Sequence, residues 1–96
     1  MSFWVYMLRC ADSSFYVGHT DDLESRVAQH QSGSIPGWTE RRRPVDLVHA
    51  AEFPTRVEAL SAGRQIRGWR RAKKEALIAG DWAAISALGR RGKKPG

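Results

Sequence analysis

The stretch VYMLRCADSSFYVG, residues 5–18, sets Tyr6 and Tyr16 in two short apolar runs on either side of one turn. Aromatic and β-branched content makes "FWVYMLRC" at 3–10 a strand, "ADSS" supplies turn chemistry, and "FYVGHT" at 15–20 is the returning strand. The chain therefore opens with a β-hairpin. Side chains alternate between the two faces of a sheet, and both tyrosines stand at even positions. They share a face only if paired residue numbers sum to an even value, which requires a loop with an odd number of residues or a bulge.

Beyond the hairpin, "DDLESRVAQHQSG" reads as a helix, with Asp21 and Glu24 in capping-box spacing and "SG" at 32–33 as its stop. Leu23 and Val27 mark the buried stripe, while Arg26 and His30, at i and i+4, project side by side on an adjoining face. "GSIPGWTERRRP" at 33–44 is a loop, long enough for so small a domain to suggest function. "VDLVHAAEF" at 45–53 is a third strand with Val45, Leu47, Ala51 and Phe53 on one face. Thr55 and Glu58 open a second helix that runs through Ala59, Leu60, Ile66 and Trp69. Basic "RRAKKEALIAG" ends at Gly80, and "DWAAISALG" is a last short helix capped by Asp81. The order ββαβαα(α) implies an α+β fold, a small three-stranded antiparallel sheet packed by helices.

Ninety-six residues with 42% apolar content suffice for one domain, expected over 1–88, and not for two. The single cysteine, Cys10, excludes an internal disulfide and every multi-cysteine zinc pattern. No basic leader region and no apolar run of the ~18 residues a membrane span needs are present, so a cytoplasmic protein with no membrane partner is expected. Residues 1–63 hold 6 Lys/Arg against 8 Asp/Glu, net −2, whereas residues 64–96 hold 10 against 2, net +8. Such asymmetry favours a polyanionic partner for the C-terminal third. Part of the surplus lies in "GRRGKKPG" at 89–96, a Gly/Pro-rich tail expected to be disordered. The rest surrounds Trp69, where Arg67, Arg70, Arg71, Lys73 and Lys74 suit phosphate contact, although a Trp at helical spacing belongs more often to a core. Arg41, Arg42 and Arg43 in the long loop read equally well as a solvated run or as a DNA contact.

These residues resemble the GIY-YIG nuclease superfamily. "WVY" at 4–6 stands at the first family triplet, with only its tyrosine matching strictly, and "YVG" at 16–18 matches the second. The triplets alone are weak signals. Their spacing, the helix carrying Arg26 and His30, "WTERRRPVDLV" and "EALSAGRQIRGWRRAKKEALI" are far more specific, and the likeness spans residues 3–79. It is strongest to the small single-domain bacterial branch, which is similar to the catalytic domain of branched-DNA structure-selective endonucleases. The resemblance implies a DNA endonuclease or repair nuclease using Mg²⁺ or Mn²⁺. It assigns Tyr6 as general base or water-orienting hydroxyl and Tyr16 as its hydrogen-bonded neighbour. Arg26, fork-shaped and always charged, would bind the scissile phosphate. Free tyrosine ionises near a pKa of ~10, so Tyr6 would need a cation or a further base, a role open to His30. Taken singly, each residue has a plainer reading: tyrosines for strand propensity, arginine as a solvated charge, His30 as a helix C-terminal cation. Their combination favours the site. His19 and His49 lack metal spacing partners and are read as structural.

One departure stands out. The family places a metal-binding glutamate in the second helix, within a pattern like "ALRRExxIK", and "ALSAGRQIRGW" puts Gly63 there. The metal ligand expected at 63 is absent. A naturally disabled nuclease, a substituted sequence and recruitment of another carboxylate are all open. Glu58 is taken by capping, and Glu52 lies off the apolar face of its strand. The helix face carrying Gly63 is expected to meet Tyr6, Tyr16, Arg26 and His30 in one cleft. Two further functions fit the same residues: a nucleic-acid-binding module that keeps the fold without cleaving, and a subunit that needs a protein partner. Branched and single-stranded DNA are both candidate ligands.

Overall fold

A computed structural model describes residues 2–81, 83 and 85. Strands β1 (Phe3–Cys10), β2 (Phe15–Thr20) and β3 (Val45–Phe53) form one antiparallel sheet in the order β2-β1-β3. Helix α1 (Leu23–Ser32) packs on one face, and α2 (Arg56–Arg67) with α3 (Arg71–Ala79) on the other. β1 is thus buried on both sides, with Val5, Tyr6, Met7 and Leu8 each at most 2% exposed. This is why "VYML" reads as a continuous apolar run and not as an alternation. The expected last helix and the basic tail fall largely outside the described residues.

The hairpin meets the parity condition. Trp4 pairs with Thr20 and Tyr6 with Gly18, so paired numbers sum to 24 throughout. Its loop holds three residues, Ala11 to Ser13, closed by hydrogen bonds from the Cys10 N–H to the Ser14 carbonyl and from the Ser13 N–H to the Cys10 carbonyl, both 2.9 Å. Ser13 adopts φ 68°, the left-handed conformation that three-residue hairpin loops place at this position. Asp12 holds the turn by accepting from the backbone N–H of Ser14 at 3.1 Å and from its hydroxyl.

Three expectations need correction. The α1 cap is Asp22, whose carboxylate accepts from the Ser25 N–H at 3.3 Å, and not the Asp21–Glu24 box. The Thr20 hydroxyl accepts from the Asp22 N–H at 3.0 Å and fixes that non-helical residue in place, so the helix starts one position late. Loop 33–44 contains a 3₁₀ turn at Glu40–Arg42. The third correction concerns β3, whose four apolar residues do not share a face. The pairing steps from Met7↔His49 to Leu8↔Leu47, leaving Val48 as a bulge. An extra residue inverts the alternation. Ala51 and Phe53 therefore face α2 opposite Val5 and Phe3, whereas Val45 and Leu47 face α1 opposite Cys10 and Leu8.

One helix boundary also differs: α2 ends at Arg67 with Gly68 as its cap, so Trp69, expected within that helix, lies past its end, whereas the remaining caps and stops stand as expected. Gly33, at φ 79°, ends α1, and the Thr55 hydroxyl accepts from the Glu58 N–H at 3.2 Å to start α2. Gly80, at φ 71°, ends α3. Trp69 packs against the core, with the Lys73 ammonium 4.3 Å from its ring centroid.

Candidate active site

Both tyrosines lie on the α1 face of the sheet, and what lets them meet is the glycine between them in the pairing. Gly18 stands directly across from Tyr6, and a Cβ there would lie 2.5 Å from the Tyr6 Oη and 3.0 Å from the Tyr16 Cε2. Any larger residue would push the phenols apart. His30, on the last turn of α1, completes the group: its ring centroid is 5.7 Å from that of Tyr6 and 5.0 Å from that of Tyr16. The Tyr6 Oη and His30 Nε2 are 2.8 Å apart, and the His30 Nδ1 is 2.9 Å from the Thr39 Oγ1. Tyr6, His30 and Thr39 are each 2% exposed, so bulk solvent has little access to the chain of hydrogen bonds.

Burial sets the protonation states. It pushes the Tyr6 phenol well above the ordinary tyrosine range, with Tyr16 adding to the rise and Arg26 partly opposing it. It pushes the His30 imidazole down, and the Arg26 guanidinium one turn earlier pushes in the same direction. A neutral phenol thus faces a neutral imidazole. Such a ring donates from one nitrogen and accepts at the other. Tyr6 and His30 therefore share one hydrogen bond between neutral groups, its direction set by the tautomer. Arg26 is half-buried, and its charge acts on Tyr6, His30 and His19.

Trp38 and Thr39 open the "WTERRRPVDLV" stretch of the family resemblance, but no role was assigned to either from the sequence. Trp38 stacks on Tyr16, centroids 5.9 Å apart, and the Arg42 guanidinium lies 4.0 Å from the indole centroid. Arg42 is held there by the Trp38 carbonyl at 2.7 Å and the Asp12 carboxylate at 3.2 Å. Arg43 donates to the carbonyls of Ser32 (3.2 Å) and Glu40 (3.1 Å), a cation at the C-terminus of α1. Of the three loop arginines considered for DNA, only Arg41 is exposed and without an internal bond among the described residues.

In the C-terminal third, Arg67 donates to the Val17 carbonyl at 3.0 Å and Arg71 to the Ser13 carbonyl at 2.6 Å, so these cations line the open edge of β2 beside Tyr16. Arg71 also pairs with Glu75 at 3.3 Å. Arg70 is exposed at the start of α3, Lys73 rests on Trp69, and Lys74 is half-buried. His19, exposed on that edge, is pushed down by partial burial and then by Arg56, Arg67 and Arg26. Its environment is cationic. His49 is lowered by burial alone, in keeping with a structural role.

Gly63 does not converge with the tyrosines in the expected way. It is buried on α2, and a Cβ there would meet only Val5 Cγ2, at 3.9 Å, on the opposite side of the sheet. Glu58 is held by the Thr55 hydroxyl at 2.9 Å. Glu52 shares the Tyr6 face, across from Trp4, but is exposed. Among the described residues no group of three or more His, Cys, Asp or Glu could hold a metal, and the charges acting on Tyr6 and His30 include no carboxylate. Magnesium leans on one or two carboxylates even when it keeps most of its waters. The donor set does not fit a resident divalent ion. Beside the site, a groove of about 640 Å³ between Trp4, Val27 and Leu47 is rimmed by Asp21, Asp22 and Glu24, which repel phosphate. No described helix is long and apolar enough to cross a membrane.

The GIY-YIG catalytic domain profile matches residues 2–76. A UPF0213 protein of Natronomonas pharaonis is 42% identical over 76 residues, covering 79% of this chain and 89% of its own length. YazA of Bacillus subtilis, also a UPF0213 protein, is 41% identical over 73 residues, covering 76% and 74%. The solution structure of a UPF0213 protein from Bacillus halodurans superposes with a TM-score of 0.55 at 34% identity, covering 92% of this chain and 97% of that one.

Proposed function

Because the chain belongs to the GIY-YIG family, whose domain is a nuclease domain, we propose that it is a DNA endonuclease acting on phosphodiesters beside Tyr6, Arg26 and His30. The observation that carries this reading is the buried hydrogen-bond chain from Tyr6 through His30 to Thr39, next to one guanidinium. Hydrolysis needs an activated water and cationic groups on the non-bridging oxygens. Arg26 supplies the fork for those oxygens. Tyr6 orients the water. As the water oxygen bonds to phosphorus and the P–O bond to the leaving alkoxide breaks, the water's proton passes to the Tyr6 oxygen while the phenol proton passes to the His30 Nε2; the alkoxide takes its proton from solvent, and His30 gives one back to solvent as product leaves. This route avoids a free phenolate but places a transient charge on His30, which burial and Arg26 oppose, so the step is expected to be slow. Arg41, Arg70, Lys73 and Lys74 contact flanking phosphates, and Arg67 and Arg71 add to them only with the donors that their own carbonyl bonds leave over, so binding weakens steeply with salt.

Family nucleases use divalent metals, and Gly63 removes the expected ligand. This favours a second reading, a nucleic-acid-binding module without cleavage. One experiment separates them. The chain, its Gly63→Glu variant and the Tyr6→Phe variant of each are assayed on branched, flapped, single-stranded and duplex DNA with Mg²⁺, Mn²⁺ or chelator. The unmodified chain is expected to bind and cut slowly. Gly63→Glu, whose carboxylate would start on the α2 face across the sheet from Tyr6, should add no chelator-sensitive rate, and Tyr6→Phe should lower turnover far more than affinity. If neither parent cuts while both bind, the binding module stands. Fast metal-dependent cutting by the unmodified chain would point to another ligand, Glu52 first.

A further inference from the structure

We infer that Trp38, with the Arg42 guanidinium beside its ring, is a stacking platform for one unpaired nucleobase of the strand whose phosphate lies at Tyr6, Arg26 and His30. The place of that phosphate rests on the nuclease reading; the platform rests on the loop. Among the described residues Trp38 is the one exposed tryptophan, tyrosine or phenylalanine, 41% open to solvent with Tyr16 and Arg42 already in contact with it. A single exposed ring is ordinary on a protein surface. Three further observations set this one apart.

The ring stands at the site. It stacks on Tyr16, centroids 5.9 Å apart, and the Tyr16 ring lies 6.2 Å from that of Tyr6 and 5.0 Å from that of His30. A base on the sugar next to the bound phosphate is therefore within reach of the indole. The ring is also fixed before any ligand arrives. The Trp38 carbonyl accepts from Arg42 at 2.7 Å, Arg42 is anchored to the Asp12 carboxylate at 3.2 Å and, through its own carbonyl, to the Ala11 N–H at 2.9 Å, and the next residue, Thr39, is buried against His30. A platform already ordered loses little freedom on binding. Its surroundings, finally, are cationic: Arg41, Arg42 and Arg43 follow in the loop, and Arg67 and Arg71 line the β2 edge beside Tyr16. Aromatic rings among cations hold single strands, and a guanidinium plane stacks on bases as a ring does. The apolar anchor of a protein interface sits instead where charge is depleted. Because a base inside a duplex has both faces covered by its neighbours, only an unpaired one can use the platform. Trp69, the other tryptophan set among cations, is packed against the core under Lys73.

Affinities of the full chain are measured by fluorescence anisotropy, without metal, for an oligodeoxythymidylate, for the same strand with an abasic sugar at every position, and for a long duplex. The unmodified chain should bind the base-bearing strand on the order of 10-fold more tightly than the abasic one. That ratio should stay level as salt rises while both affinities fall, because stacking releases no counterions. Trp38→Leu should lose the ratio while keeping its affinity for the abasic strand and the duplex, and Trp38→Phe should recover most of it. A ratio near one in the unmodified chain overturns the inference, as does a ratio that survives in Trp38→Leu. Should Trp38→Leu fail to fold, the indole N–H resonance of Trp38 in the unmodified chain decides: it should shift with the base-bearing strand and not with the abasic one, and an unmoved resonance overturns the platform. Cleavage is scored separately. A base-dependent ratio with no cutting of any substrate keeps the platform and defeats the endonuclease, cutting with a ratio near one does the reverse, and binding to none of the three ligands defeats both.

Discussion

The two faces of the sheet are built from the same strands and obey different rules. Toward α2 and α3, Val5, Met7 and Val17 meet Ala59, Ile66 and Leu77, and packing is apolar. Toward α1, Tyr6 and Tyr16 meet His30 across a polar chain that must satisfy each of its atoms. Each face contains a buried glycine, and the two differ in what surrounds them: Gly18 is crowded and Gly63 is not. Gly18 yields the space a Tyr6 hydroxyl fills; Gly63 leaves space that nothing fills. An apolar face absorbs an added methyl, whereas a hydrogen-bonded face fixed to tenths of an ångström does not.

The same substitution should therefore act with opposite sign on the two sides. Gly18→Ala puts a methyl 2.5 Å from the Tyr6 Oη and should destabilise the protein by about 1–3 kcal/mol in urea denaturation. It should also displace Tyr6 from His30, seen as a change in the His30 ring shifts. Equal stability would mean that the strands part easily and that the site is loose. Gly63→Ala meets Val5 at an ordinary 3.9 Å and should stabilise by about 1 kcal/mol, the helix-propensity gain over glycine. A loss there would show that the α2 face is tighter than its contacts suggest.

The smallest effect concerns pH. His30 on one face and His49 on the other are both pushed below the ordinary histidine value, first by burial. The unfolded chain then binds more protons than the folded one as pH falls below about 6.5, so their contribution is complete above that value and is lost as pH falls toward the folded pKa values. Stability should rise between pH 5 and pH 7. His30→Gln and His49→Gln should each flatten that rise, and His30→Gln should change its salt dependence more, because Arg26 acts on His30 alone of the two. A slope untouched by both variants would assign the pH dependence to other groups.

Much of this was legible in the residues. Turn chemistry between two β-rich runs fixed the hairpin, and the parity of Tyr6 and Tyr16 posed a question with only two answers. Arg26 and His30 follow from helical spacing. The partner of His30 did not follow, because Thr39 lies in a loop with no period, and a contact across nine residues of irregular chain leaves no pattern. The Val48 bulge was equally hidden, since an apolar residue looks the same whether it is paired or skipped. Charge was the most misleading signal. Arg42 and Arg43 read as free cations, yet their guanidiniums are engaged with the chain's own carbonyls and Asp12. Composition counts charges but not what they already hold.

Arg67 carries one more consequence. β2 ends the sheet, and a terminal strand exposes a row of backbone groups on which a second molecule's strand can build. The Arg67 guanidinium occupies the Val17 carbonyl in the middle of that row, and Arg71 takes the Ser13 carbonyl at its beginning. Two bulky, hydrated charges on the rim bar stacking of one hairpin on the next. Pairing of a second strand on β2 would first have to displace the Arg67 guanidinium from the Val17 carbonyl.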